Sequence, residues 1–425
     1  MEIAERLLYA RVSILFGEVM RVLLSAYACE PGRGSEPEVG WQRALHMTKM
    51  ADEVWVLTRS NNQAVIEADP LSHTQGLHFI YYDPPKWVLR LKKQAWFLPL
   101  YFILWQWGAY RLAARHHREK PFDSVYHVTF VSMLYGSFMG RLGIPFVIGP
   151  IAGGERAPLR LRRSMPMRGK AKELLRDLGI LLQRISPLTR TAFAAADHIY
   201  VTTADSLRLI SPKWRSKTTV LLAVATNGNA VRNVDRRPPD FPRFIFAGDL
   251  LYLKGVHMAI RALALAKSAI PDATLTIAGD GLAEAWLRDL AEQCGVADKV
   301  EFAGRIPRQQ LLNSYGKYTA LVFPSLHDSG GMVVLESLSE GLPVICLDLG
   351  GPGIIVNGSC GIVVPTANAN EAQMVTAIAN AMISIGALSA TESAQLSMRA
   401  IARANELSWS NLTARVSGCE DRSHA

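Results

Sequence analysis

Residues 320–336 read Ala-Leu-Val-Phe-Pro-Ser-Leu-His-Asp-Ser-Gly-Gly-Met-Val-Val-Leu-Glu, and their order decides the fold. Ala320–Phe323 is short and wholly apolar, as a strand covered on both faces of a parallel sheet must be. Pro324 stops it, Gly330-Gly331 makes a turn, and a helical pattern starts near Met332. A strand that runs through a glycine turn into a helix presents free N–H groups and lets a ligand approach the backbone, which makes an anion site. Asp328 lies before the turn and Glu336 about one turn into the helix. One can meet a sugar hydroxyl and the other a ribose diol; either alone also reads as a solvated surface carboxylate.

Outward from this stretch the same rhythm repeats. Strands are expected at Arg243–Ala247, Thr274–Ala278, Val300–Ala303, Val344–Leu347 and Ile362–Val364, with helices starting near Val256, Leu282, Gln309 and Met332. Upstream they fall at Val22–Ser25, Val54–Thr58, His78–Tyr82, Ser124–Val128, Phe146–Ile148, His198–Val201 and Thr219–Leu222, with helices over Gly40–Met50, Trp96–Arg118 and Lys170–Arg184. The polar, proline-containing run 233–240 reads as a linker. The chain is therefore α/β, with two Rossmann-like, doubly wound parallel-sheet domains, 20–232 and 241–405, and a helix at 406–420 returning to the first. Residues 1–19 read as an extension upstream of a start at Met20, with an amphipathic first helix as the alternative. Ligands of such sheets bind beyond the carboxyl ends of the strands, so a central cleft faced by both domains is the expected site.

The 425 residues are 49% hydrophobic and 20% charged, which excludes a disordered or coiled-coil chain. Five cysteines, far apart and without CxxC spacing, argue against a zinc site or a disulfide framework and for a reducing compartment. The apolar run Ala95–Ala109 is too short to span a bilayer.

A second element, Phe246-Ala-Gly-Asp-Leu-Leu-Tyr-Leu-Lys-Gly255, puts Gly248 at a strand end and Lys254 just before a helix, where a cation can neutralise a diphosphate. A solvent-facing lysine is the alternative. Ala278-Gly-Asp-Gly281 is taken as a structural turn.

With these motifs in place, residues 244–364 resemble the C-terminal half of the retaining glycosyltransferases of family four, the group 1 glycosyltransferases with the GT-B fold. Asp328-x7-Glu336 is similar to the family's paired-acid motif, with Asp for the usual first Glu, and Phe246–Gly255 to its Gly-Arg-Leu…Lys-Gly element. Ser25–Trp41 and Pro150–Glu155 resemble the N-terminal half of one subgroup. The resemblance implies that Glu336 holds the donor's ribose, that Asp328 with the amides of Gly330, Gly331 and Met332 holds the transferred sugar, and that Lys254 with amides near Val333 holds the diphosphate. It implies no metal and no cofactor beyond the nucleotide-diphosphate sugar. Asp249 departs from the family's usual Arg, and a like charge beside a diphosphate weakens binding unless Arg305 or Arg33 compensates.

In the first domain, His127 at a strand end is placed by the resemblance near the donor sugar; a core histidine is the other reading. The loop Pro31–Gly40, with Gly34 and Glu36, can approach phosphates or acceptor, and Glu155 can face the acceptor. Residues 156–190 hold ten basic against two acidic side chains in a chain of net charge +9, and four tryptophans crowd residues 87–107. A basic surface beside aromatics suits an anionic membrane; a mobile loop and a packed core helix are the alternatives. No nucleic-acid-binding signature accompanies the charge. The expected activity is hexosyl transfer to a saccharide, lipid-linked acceptor in surface polysaccharide biosynthesis, in the cytoplasm or peripherally on the inner membrane face. The alternatives are a non-catalytic sugar-nucleotide-binding protein and a sugar-nucleotide epimerase.

Overall fold

The computed structural model describes residues 19–92, 94, 97–131, 133–183, 186–228 and 239–416. The extension at 1–18, most of the linker expected at 233–240 and residues 417–420 lie outside them. Among the described residues thirteen strands form two all-parallel sheets. The first has β1 (Arg21–Ala26), β2 (Glu53–Thr58), β3 (Leu77–Tyr81), β4 (Ser124–Thr129), β5 (Phe146–Ile151), β6 (His198–Val201) and β7 (Thr218–Val220) in the order β3-β2-β1-β4-β5-β6-β7. The second has β8 (Arg243–Ala247), β9 (Thr274–Ala278), β10 (Val300–Gly304), β11 (Ala320–Phe323), β12 (Val344–Leu347) and β13 (Gly361–Val364) in the order β10-β9-β8-β11-β12-β13.

The pleat sorts the first sheet's core into two layers. Val22, Leu24, Val54, Val56, Tyr126 and Val128 face one side with Trp41. Leu23, Leu57, Val125 and Ile148 face the other, where Tyr101, Phe102 and Trp105 of the helix Leu98–Glu119 cover them. These three aromatics are core residues, so the apolar run is a packed helix there; Trp87 and Trp107 remain exposed, and Trp96 lies outside the described residues.

Two expectations change. The helix expected at Gly40 starts at Ser35, with Pro37 tolerated in the first turn and Glu36 and Glu38 favoured there by the helix dipole. The loop of Pro31–Gly40 therefore ends at Gly34, and Gly40 lies inside the helix, where a Cβ would sit 2.0 Å from the Ala28 carbonyl oxygen.

The described residues form two compact units, one of residues within 19–154, 179–224 and 409–416, the other of those within 155–178 and 225–408. The segment 155–178, assigned to the first domain from sequence, thus packs with the second sheet. Buried Glu371 explains it: its carboxylate accepts from the Ser164 amide at 3.1 Å, from the Ser164 hydroxyl, and from Arg261 Nη1 at 2.7 Å. Arg162 closes the segment on itself through Asp177 at 2.7 Å. In the first unit the helix Trp409–Val416 packs on Ser35–Met47, with Arg43 5.7 Å from the Trp409 ring centre.

Glu371→Ala leaves a serine and an arginine without their shared acceptor. We expect a loss of about 2–4 kcal/mol in thermal or chemical melts, and new tryptic cleavage at the arginines of 156–168. An unchanged digest would contradict the clamp.

Candidate functional site

In the second unit the candidate residues gather at the carboxyl ends of β8 and β11. β8 ends at Ala247, and Gly248, at φ 145°, donates its N–H to the Ala278 carbonyl at 2.9 Å. The chain then runs through a 3₁₀ turn, Tyr252–Lys254, to Gly255 and the helix Val256–Ala266. Gly255 has φ 70°, and a Cβ on it would lie 1.9 Å from the Pro324 carbonyl oxygen. Only glycine allows both that conformation and that approach. The approach brings Lys254 over the Phe323 ring, 5.5 Å from its centre, and sets Lys254 Nζ 2.6 Å from Asp328 Oδ2.

The other oxygen, Asp328 Oδ1, accepts from the amides of Gly330 at 3.1 Å and Gly331 at 2.7 Å. Burial would raise the Asp328 carboxyl, but the Lys254 ammonium and these two amides hold it below the ordinary carboxylate value. Two of the amides assigned to the sugar thus serve Asp328 itself. Gly331, at φ 70°, precedes the helix Met332–Ser339, whose first amides, Met332 and Val333, have no partner within the helix. Gly350 backs the loop, since a Cβ there would lie 2.0 Å from the Asp328 carbonyl oxygen.

Glu336 is bound by Arg308 Nε at 2.6 Å. Sequence reasoning passed over Arg308, although its place just beyond the carboxyl end of β10 was the signal that could have found it. Arg305 sits 3.0 Å from Asp249 and 2.8 Å from Asp280, so its charge goes first to those acids. Arg33 is paired within the first unit with Glu30 at 2.7 Å. Of the two cations considered, Arg305 is therefore the one that meets Asp249.

His327 was also missed. It is mostly buried, and burial first, then Arg176, pushes its pKa down to about 4; Glu155, Lys254 and Asp328 also bear on it. Glu155 is buried, packs in the second unit and lies in this charge cluster.

The first unit holds His127, Gly34 and Glu36. His127 and Ser25 are register partners on β4 and β1, joined by Nδ1 and the Ser25 hydroxyl at 2.9 Å. His127 is fully buried, which pushes its pKa down to about 4, and its Nε2 has no partner among the described residues. It is a neutral imidazole. Glu36 accepts from the Phe130 amide across the end of β4, and burial raises its carboxyl. Gly34, at φ 73°, ends the loop.

Residues 229–406 match the family of group 1 glycosyl transferases. A stretch of 129 residues is 37% identical to a glycogen synthase of Mycobacterium tuberculosis, covering 30% of this chain and 31% of that protein. The match thus spans about a third of this relative. In structure the chain is similar to a sucrose-phosphate synthase from Thermosynechococcus elongatus, with TM-score 0.59, 17% identity, and 94% and 98% of the two chains covered. It is also similar to Anabaena HepE in complex with UDP, with TM-score 0.57, 14% identity, and 94% and 99% covered. The fold is GT-B.

Three histidines, the fully buried His127 and His257 and the partly exposed His327, have pKa values pushed down to about 4, desolvation being the first cause in each. Unfolded, each binds its proton near the ordinary value of about 6.5. Between these values the unfolded chain carries more protons, so stability is full above about pH 6.5 and falls toward pH 4. Denaturant midpoints measured across this range should drop on acidification, and a flat profile would contradict the buried neutral state.

Proposed function

We propose that this chain, whose residues 229–406 match the group 1 glycosyl transferases, transfers a hexose from a nucleotide-diphosphate sugar to a hydroxyl of a saccharide acceptor. Configuration is retained and no metal is required. One observation carries the reading: Lys254 and Asp328 meet at 2.6 Å beside the start of the helix Met332–Ser339.

Lys254 has three N–H donors; Asp328 takes one, leaving two for diphosphate oxygens. The Met332 and Val333 amides add the helix-end field. Glu336, oriented by Arg308, accepts from the ribose hydroxyls. Asp328 holds the hexose hydroxyls, and its pairing with Lys254 keeps it ionised for that task. Arg305 offsets Asp249 near the phosphates.

The bond from the anomeric carbon to the diphosphate breaks as the acceptor oxygen bonds the same face. The acceptor's proton passes to the departing diphosphate oxygen, so no enzyme nucleophile is needed. Catalysis is positioning plus stabilisation of the leaving charge. His127, being neutral, acts as a hydrogen-bonding group on the first unit, where Gly34, Glu36 and the strand ends receive the acceptor.

The acceptor is lipid-linked, in surface polysaccharide assembly, and the enzyme works from the cytoplasm at the inner membrane face. The basic segment 156–190 and the exposed Trp87 and Trp107 support this placement.

Purified protein incubated with a panel of nucleotide sugars should release nucleotide from one of them. Lys254→Ala should lower kcat about 10²–10³-fold, as loss of one charge-stabilising donor does. Glu336→Ala should abolish release, and Arg308→Ala should raise KM more than it lowers kcat. If nucleotides stabilise the fold yet none is released from any donor, the non-catalytic alternative replaces this reading.

A further inference from the structure

The second unit carries a cavity of about 1350 Å³ away from the Lys254–Asp328 pair. It lies between the segment 159–177, the helix Val256–Ala266 and the start of the helix Glu371–Gly386. It is larger than the roughly 300–1,000 Å³ of an ordinary small-molecule site. Leu159, Leu174, Leu265 and Val375 supply apolar walls. Arg160, Arg163 and Lys170 also line it, and among the described residues these three side chains have no hydrogen-bond or ion-pair partner. The two acids of the lining are already matched, Asp177 by Arg162 and Glu371 by Arg261. Its unbalanced charge is therefore positive.

The same segment exposes large apolar side chains. Leu159 and Met167 are each 77% exposed, and Leu174 and Leu175 each 69%. Apolar side chains grouped in this way mark a surface that something covers. Charge and apolarity coincide on one stretch, and that combination selects the occupant: an amphiphile with an anionic head.

We propose that this groove binds an anionic phospholipid of the bilayer, its phosphate against Arg160, Arg163 and Lys170 and its acyl chain along Leu174, Leu265 and Val375. The leucines and methionine outside the groove enter the same interface. The inference deepens the membrane placement proposed above, and its readout is lipid binding, so its failure is distinguishable from failure of sugar transfer.

Full-length protein should co-sediment with phosphatidylcholine vesicles that contain phosphatidylglycerol and stay in solution with phosphatidylcholine alone. Each basic residue near an anionic surface contributes about a five-fold affinity. Arg160→Glu, Arg163→Glu and Lys170→Glu combined should therefore weaken binding at least about 100-fold, with donor-dependent nucleotide release unchanged. Ala264, also in the lining, tests the groove itself. Ala264→Trp fills it without altering charge and should abolish saturable binding of dihexanoyl-phosphatidylglycerol monomers, followed by nuclear magnetic resonance, while its melting temperature reports folding.

Three results would overturn the proposal. One is equal binding to both kinds of vesicle. Another is inorganic phosphate competing as well as the short-chain lipid, which would make the groove a site for a free anion. The third is a folded Ala264→Trp protein that binds the short-chain lipid undiminished.

Discussion

The ammonium of Lys254 and the carboxylate of Asp328, 2.6 Å apart and 74 residues apart in sequence, tie the loop after β8 to the loop after β11. Both groups are mostly buried, so each would be costly alone, and together they are stable only because the geometry is good. That geometry rests on backbone approach. Gly255 lets the start of one helix meet the Pro324 carbonyl, and Gly350 lets a third loop back Asp328. Asp328 in turn caps the amides of Gly330 and Gly331 and so sets where the next helix begins. A ligand placed here finds a fixed cation and helix-end amides, so binding needs little rearrangement.

Polar groups are buried in two ways. Lys254 and Asp328 are paired, and the pairing holds Asp328 below the ordinary carboxylate value. His127 gives up its charge, as His257 and His327 do in the second unit: desolvation in the sheet interior leaves a neutral ring hydrogen-bonded to Ser25. Such a ring can orient a hydroxyl, but it is a poor general acid near neutral pH. This agrees with a reaction in which the leaving diphosphate takes up the acceptor's proton.

The segment 155–178 links these chemistries to a surface. It follows β5 directly, yet Glu371 draws it onto the second unit. It brings Glu155 and Arg176 into the charge cluster of His327 and turns its leucines and free cations outward. One short stretch thereby shapes the electrostatics next to the Lys254–Asp328 pair and lines the groove of about 1350 Å³.

Sequence alone determined the strands, because buried parallel strands are short apolar runs whatever surrounds them: β6, β8, β9, β11 and β12 lie where the pattern put them, and the others move by one to three residues. It also marked Lys254, Asp328 and Glu336, since glycine turns at strand ends are local signals. It misplaced the start of the helix at Ser35, where the turn-like residues Ser35-Glu-Pro37 belong to a first turn. Only the tertiary structure decided that Arg308 grips Glu336, that Arg305 answers Asp249, that His127 is buried and neutral, and that 155–178 packs with the second sheet. Each of these depends on groups brought together across 28 to 207 residues or on the loss of water around them. Periodicity and spacing carry no record of either: they report which face a residue takes within its own element, not which charge or solvent it meets once distant elements close over it.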